Sequence, residues 1–160
     1  MARALIVGCG CRGRALGRAL IEEGWVVRGT TRNPDRLDEI NADGIEAVVA
    51  DPDLIGTVVD HIDGVSAIFW LMGSAKAEPE VLAAIHGPRL ERLLEEAIDT
   101  HLRLIVYEAA GPVQDRYFDD GREVIAKFER VHRIPARVVE ADPADFENWL
   151  HGMVEAARSM

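Results

Sequence analysis

Six residues near the N-terminus, Gly8-Cys9-Gly10-Cys11-Arg12-Gly13, carry the spacing glycine-x-glycine-x-x-glycine, with Gly17 about one helical turn further on. The chemistry that spacing serves is phosphate binding. Gly8 permits a tight turn, and Gly10 lets a pyrophosphate approach the backbone. Gly13 lets a helix pack close to the preceding strand, so that free N–H groups at the helix start face the phosphates. Cys9 and Cys11 read as small residues filling the variable positions. A thiolate role would require the helix N-terminus to lower a thiol pKa. About 20 residues beyond such a loop, an NAD site carries an acid for the ribose 2′-hydroxyl. This chain has Arg28-Gly29-Thr30-Thr31-Arg32-Asn33 there, with no acid. A guanidinium at Arg32 could pair bidentately with a 2′-phosphate, with the hydroxyls of Thr30 and Thr31 beside it and Arg12 as a second candidate. The expectation is NADP(H) in preference to NAD(H).

Other chemistries find less support. The 160 residues include 28 acidic and 18 basic side chains, a net charge of −10, so nucleic-acid backbones would be repelled. Cys9 and Cys11 are the only cysteines, and the five histidines lack HxxxH or HExxH spacing, so no metal centre is expected. No apolar run approaches the ~20 residues of a membrane span, and Met1–Val7 carries no signal-peptide cleavage region. With 48% hydrophobic residues, the expectation is one globular domain over residues 1–160, soluble and cytoplasmic.

The loop needs elements to hold it. Short apolar runs at Ala4–Gly8, Trp25–Thr30, Ile45–Ala50, Val65–Trp70, Leu102–Tyr107 and Ala136–Glu140 read as strands. Helices are predicted over Arg12–Glu23, from Asn33-Pro34 to about Ile40, and from Asp51-Pro52 through Leu54, Val58 and Ile62. Further helices are predicted at Val81–Ile85, Arg89–Thr100 and Arg122–His132, and after Asp142-Pro143. In the last one, Phe146, Trp149, Leu150, Met153, Val154 and Ala157 form one apolar stripe, read as core packing. Asn–Pro and Asp–Pro pairs supply an N-cap and a proline at the first helical position. Six strand–helix alternations imply a doubly wound α/β domain: a parallel six-stranded sheet with helices on both faces.

The run Leu5-Ile6-Val7-Gly8-Cys9-Gly10-Cys11-Arg12-Gly13, followed by Gly24-Trp25-Val26-Val27-Arg28-Gly29-Thr30-Thr31-Arg32-Asn33-Pro34, resembles the atypical short-chain dehydrogenase/reductases. Within that group it is similar to the NmrA-like and epimerase-like NAD(P)-binding proteins. The resemblance continues through Asp63–Trp70 and returns at Lys127-Phe128-Glu129. It implies a Rossmann fold, a dinucleotide cofactor, and an oxidoreductase acting on a small carbonyl-type substrate. It also places Met72 and Gly73 where relatives line the cofactor. The family's Tyr-x-x-x-Lys is missing. Glu123 stands four residues before Lys127, and neither Tyr107 nor Tyr117 has a lysine four residues on. A phenol acid assisted by a lysine therefore has no standard position here.

Four catalytic candidates remain. Tyr107 and Glu108 fall at the carboxyl end of the fifth strand, where open α/β sheets bind ligands. Tyr117 is read as a loop residue able to cover a nicotinamide. Lys127 is read as a contact to the nicotinamide ribose, or as a local partner of Glu123. A substrate pocket is expected from the loops Leu71–Pro79 and Glu108–Asp120. The alternative reading is a non-catalytic NADP(H) sensor or regulatory module. A homodimer is also considered, through the apolar face Leu90, Leu93, Leu94, Ala97 and Ile98, and through Trp149 on the last helix.

Overall fold

The computed structural model describes residues 2–160. Its β-strands are β1 (Arg3–Val7), β2 (Val26–Thr31), β3 (Glu46–Val49), β4 (Ala67–Trp70), β5 (Leu104–Glu108) and β6 (Ala136–Val139). They form one sheet in the order β3-β2-β1-β4-β5-β6, every neighbouring pair parallel. The helices are α1 (Cys11–Glu22), α2 (Leu37–Ala42), α3 (Gly56–Val59), α4 (Pro79–His86), α5 (Pro88–Ala97), α6 (Asp115–His132) and α7 (Phe146–Arg158). The result is the doubly wound Rossmann arrangement, in which the chain reverses direction across the sheet between β1 and β4.

The strand sequences explain this order. All four residues of β4 are buried, and so are Ala4 to Val7 of β1, as expected for central strands covered on both faces. Alternate side chains supply two cores. Ala4, Ile6, Phe69, Leu104 and Val106 meet Leu16 and Leu20 of α1 and Trp149 and Met153 of α7. Leu5, Val7, Ile68, Ile105 and Tyr107 meet Val58, Leu90, Leu93, Phe118 and Phe128 on the other side.

Several predicted boundaries shift, each for a visible reason. Asn33 does cap as expected, accepting the Asp35 N–H at 3.0 Å, but it opens a 3-10 turn (Pro34–Arg36) ahead of α2. Asp51 accepts the Asp53 N–H at 2.9 Å, and its own N–H donates to Thr57 Oγ1 at 2.8 Å. That closes a turn, which shortens the predicted helix to α3. Asp142 similarly turns the chain onto Ala144, and the residue that precedes α7 is Asp145, three positions after the predicted cap. The largest shift is α6, which begins at Asp115 rather than Arg122. Gly121 sits inside this helix because its missing side chain leaves room for the Tyr107 ring and hydroxyl.

The apolar stripes offered for a homodimer are used within the chain. Leu90, Leu93, Leu94, Ala97 and Trp149 are all buried in the two cores, and Ile98 packs against one of them. Among the described residues, no helix is long and apolar enough to cross a membrane.

Candidate functional site

At the carboxyl ends of the strands, beside the β1–β4 reversal, lies a cleft of about 900 Å³. That is the size and place at which open α/β sheets hold cofactors. The glycine loop forms its floor. Gly8 has φ +92°, a conformation that suits glycine, and turns the chain from β1 towards α1. Thr30 at the end of β2 fastens the loop, its Oγ1 accepting the Gly8 N–H at 3.2 Å and its carbonyl the Cys9 N–H at 2.9 Å. Gly13 is needed for packing, since a Cβ there would lie 2.8 Å from the Gly8 carbonyl oxygen. Gly10 differs: a Cβ there would meet nothing within 4 Å, so its open side faces the cleft.

The two cysteines separate. Cys9 is buried beneath the loop, against Gly29, and burial pushes its thiol up to about 12. It stays protonated and acts as a small core residue. Cys11 is exposed at the start of α1 and lines the cleft.

One wall comes from the tips of β2 and β3. Thr31, Arg32, Asn33, Arg36, Asp51 and Asp53 line it. Arg32 is exposed and has no ion pair among the described residues, whereas Arg36 is paired with Glu39 at 2.9 Å. Glu39 also reaches the cleft but is held by Arg14 as well, at 3.5 Å. The hydroxyl of Thr31 is engaged locally, accepting the Asn33 N–H at 3.2 Å.

Arg12 lies elsewhere than the sequence suggested. Its Nη2 donates to Ser74 Oγ at 2.6 Å, in the segment after β4. It therefore reaches away from the β2 tip, because β4 and β2 flank β1 on opposite sides. Ser74, Ala75, Lys76 and Glu78 continue this second wall, together with Leu71 and Met72. Gly73 supports it from behind, where a Cβ would strike the Ala110 carbonyl and lie 2.7 Å from Glu108 Oε1.

Of the four catalytic candidates, only Glu108 lines the cleft. It is 3% exposed. Its Oε1 accepts the Gly73 N–H at 2.8 Å and its Oε2 the indole N–H of Trp149 at 2.7 Å. Burial pushes this carboxyl above the usual range, while those two hydrogen bonds and the charge of Arg12 pull it back. Tyr107 points to the opposite face of β5. It is fully buried, and its hydroxyl donates to His86 Nδ1 at 2.6 Å. Burial raises that phenol well above its ordinary value, so it holds its proton.

Tyr117 is a buried residue of the early α6 helix, not a loop residue. Its ring lies under the Arg116 guanidinium, 4.7 Å from the centroid, and its hydroxyl accepts from Arg116 at 2.7 Å. Lys127 sits on the α5–α6 seam, 3.8 Å from Glu91 rather than beside Glu123, and lines no part of the cleft. Its helix runs past the sheet with Lys127 towards the end away from the strand tips. No group of three or more His, Cys, Asp or Glu among the described residues is placed to hold a metal ion.

Ser74 and Lys76 lie in the Leu71–Pro79 loop expected to line a pocket, whereas sequence reasoning missed Asp51, Asp53, His86 and Trp149. The tip-of-strand rule used for β2 would have found the two aspartates at β3. Trp149 and His86 join the site through contacts 41 and 14 residues apart in sequence, which spacing does not reveal.

His86 is fully buried, and burial lowers its pKa from 6.5 to about 4. Met72 and Asp120 act in the opposite sense, and the rings of Tyr107, Tyr117 and Phe118 surround it. The folded state refuses a proton that the unfolded chain accepts, so stability is full above pH 6.5 and falls as pH drops towards 4. A shift of that size corresponds to about 2–3 kcal/mol lost by pH 4.5. Urea unfolding at pH 7 and pH 4.5 should show this loss in the unmodified protein and its absence in His86→Gln. Equal losses in the two proteins would mean that His86 is not the group responsible.

The sequence matches the model of a family described as NAD(P)H-binding, over residues 8–147. Among curated proteins none matches it. Solved structures with the same fold include a short-chain dehydrogenase/reductase superfamily protein from Agrobacterium tumefaciens with bound NAD. It is 23% identical with a TM-score of 0.67, over 85% of this chain and 48% of that one. Vestitone reductase from alfalfa is 14% identical with a TM-score of 0.62, over 86% and 56%. UDP-glucuronic acid 4-epimerase from Bacillus cereus is 12% identical with a TM-score of 0.66, over 85% and 55%. The chain spans about half the length of these proteins, and the likeness is one of fold.

Proposed function

Because this chain belongs to the NAD(P)H-binding family, we propose that its cleft holds a dinucleotide, and that it prefers NADP(H) to NAD(H). The observation that carries this preference is Arg32: an exposed cation at the β2 tip without an ion pair among the described residues, where an NAD site would carry a free acid. On this reading the pyrophosphate lies over the open side of Gly10 at the start of α1, and the 2′-phosphate meets Arg32. The adenine half then occupies the β2–β3 wall. The nicotinamide half lies along the wall formed by Met72 and Ser74, with Arg12 flanking the pyrophosphate rather than the 2′-phosphate.

The geometry favours a protein that binds NADP(H) without the phenol–lysine chemistry of the reductases, acting as a sensor or regulatory module in the cytoplasm. In support, Tyr107 and Tyr117 are buried away from the cleft, and Lys127 lies on another surface. The second reading is an oxidoreductase acting on a small carbonyl-type substrate. The observation that favours it is the buried Glu108 carboxyl, an acid on the cleft wall. NADPH oxidation against a panel of aldehydes, ketones and quinones separates the two. Binding of both redox forms without turnover is the expected result. Turnover that disappears in Glu108→Gln would establish the oxidoreductase instead.

A further inference from the structure

Two buried side chains converge on a single peptide unit at the edge of the cleft. The carbonyl of Met72 accepts a hydrogen bond from His86 Nε2–H at 3.2 Å. The N–H of Gly73, the other end of the same peptide, donates to Glu108 Oε1 at 2.8 Å. His86 belongs to α4 and Glu108 to β5, and both are almost completely inaccessible to solvent.

Each of these groups is itself fixed from behind. Because a carbonyl can only accept, the His86 proton must be on Nε2, leaving Nδ1 to accept from the Tyr107 hydroxyl at 2.6 Å. Glu108 Oε2 accepts the Trp149 indole N–H at 2.7 Å. Tyr107 and Glu108 are consecutive residues on opposite faces of β5, so one strand end anchors both arms, one directly and one through His86. Peptide groups at a cleft edge ordinarily bond to water or to neighbouring backbone. Burying two ionisable side chains against one peptide is costly unless their hydrogen bonds are met, and here both are met.

We infer that His86 and Glu108 are positioning residues that grip the Met72–Gly73 peptide and hold the wall against which the nicotinamide half of the dinucleotide lies. The inference rests on the dinucleotide reading of the cleft. Its hydrogen-bond logic is specific. Neutral His86 with its proton on Nε2 satisfies both Met72 and Tyr107, and the depressed pKa keeps it neutral. Glu108 presents two acceptors to two donors, so an amide in its place would aim an NH2 group at one of them.

The test compares NADPH with adenosine 2′,5′-bisphosphate, which represents only the adenine half, by titration calorimetry. His86→Gln can keep a donor near Nε2, whereas His86→Asn cannot reach the Met72 carbonyl. His86→Asn and Glu108→Gln should each weaken NADPH by about tenfold, the scale of one lost hydrogen bond, and leave the bisphosphate unchanged. His86→Gln should restore most of the NADPH affinity. Variants that bind NADPH like the unmodified protein, or that lose both ligands equally, would overturn the inference. Hydrogen exchange at the Gly73 amide in the ligand-free protein tests the grip independently of any cofactor. It should be slow in the unmodified protein and fast in Glu108→Ala, which removes both acceptors, and equal rates would overturn the grip itself. If the unmodified protein binds neither ligand, the dinucleotide reading fails and the positioning role falls with it, while the exchange result still decides whether the grip exists.

Discussion

Replacing Gly10 with valine is expected to abolish dinucleotide binding, by at least about a hundredfold in Kd, while the protein stays folded. Both halves of this expectation come from the surroundings of one residue. At φ −83° and ψ −155° the backbone of Gly10 is extended and accommodates a branched side chain. A Cβ there meets no protein atom within 4 Å, so folding is spared. The space it enters is the cleft floor at the start of α1, where the pyrophosphate must approach the backbone N–H groups. The valine methyls would hold the phosphates away from those donors. Gly13→Val is the useful contrast, because its Cβ would press on the Gly8 carbonyl and damage the loop itself. Calorimetry with circular dichroism as a folding control separates them. Retained affinity in folded Gly10→Val would show that the loop is only a turn.

Arg32→Ala is expected to weaken NADPH by about tenfold to a hundredfold and leave NADH almost unchanged. One charge-assisted bidentate contact to a phosphate contributes roughly 1.5–3 kcal/mol. Arg32 is exposed, so solvent screening places the effect towards the lower end, and added salt should shrink it further. Arg36 is the neighbouring cation on this wall, but its pairing with Glu39 limits what it can replace. The measurement is a pair of NADPH and NADH titrations on each protein at two salt concentrations. A variant that loses both cofactors equally would move Arg32 from discrimination to general binding.

The fold was largely legible because the central strands are short apolar runs and the longer helices carry apolar stripes. Where reading failed, a residue's local meaning differed from its tertiary one. Gly121 looks like a helix break, yet it sits mid-helix because the Tyr107 ring needs the space. Tyr107 and Glu108 were both legible as tip-of-strand residues. Strand alternation says that they face opposite sides, but only the packing of α4 and α6 decides that Tyr107 goes to the core and Glu108 to the cleft. The glycine loop and Arg32 could be named from contiguous sequence, and both line the cleft. The direction of Arg12 was not legible, since it depends on Ser74, 62 residues away. The grip on Met72–Gly73 was equally hidden, being assembled from β4, α4, β5 and α7.

The central claim, that this acidic α/β protein binds a dinucleotide and reads its 2′-phosphate, is tested most directly by titrating the unmodified protein with NADPH and NADH. The account predicts one site per chain, with NADPH bound at least about tenfold more tightly, as expected for one charged contact. Equal affinities, or tighter binding of NADH, would contradict the assignment of Arg32, and no binding of either would contradict the dinucleotide cleft itself.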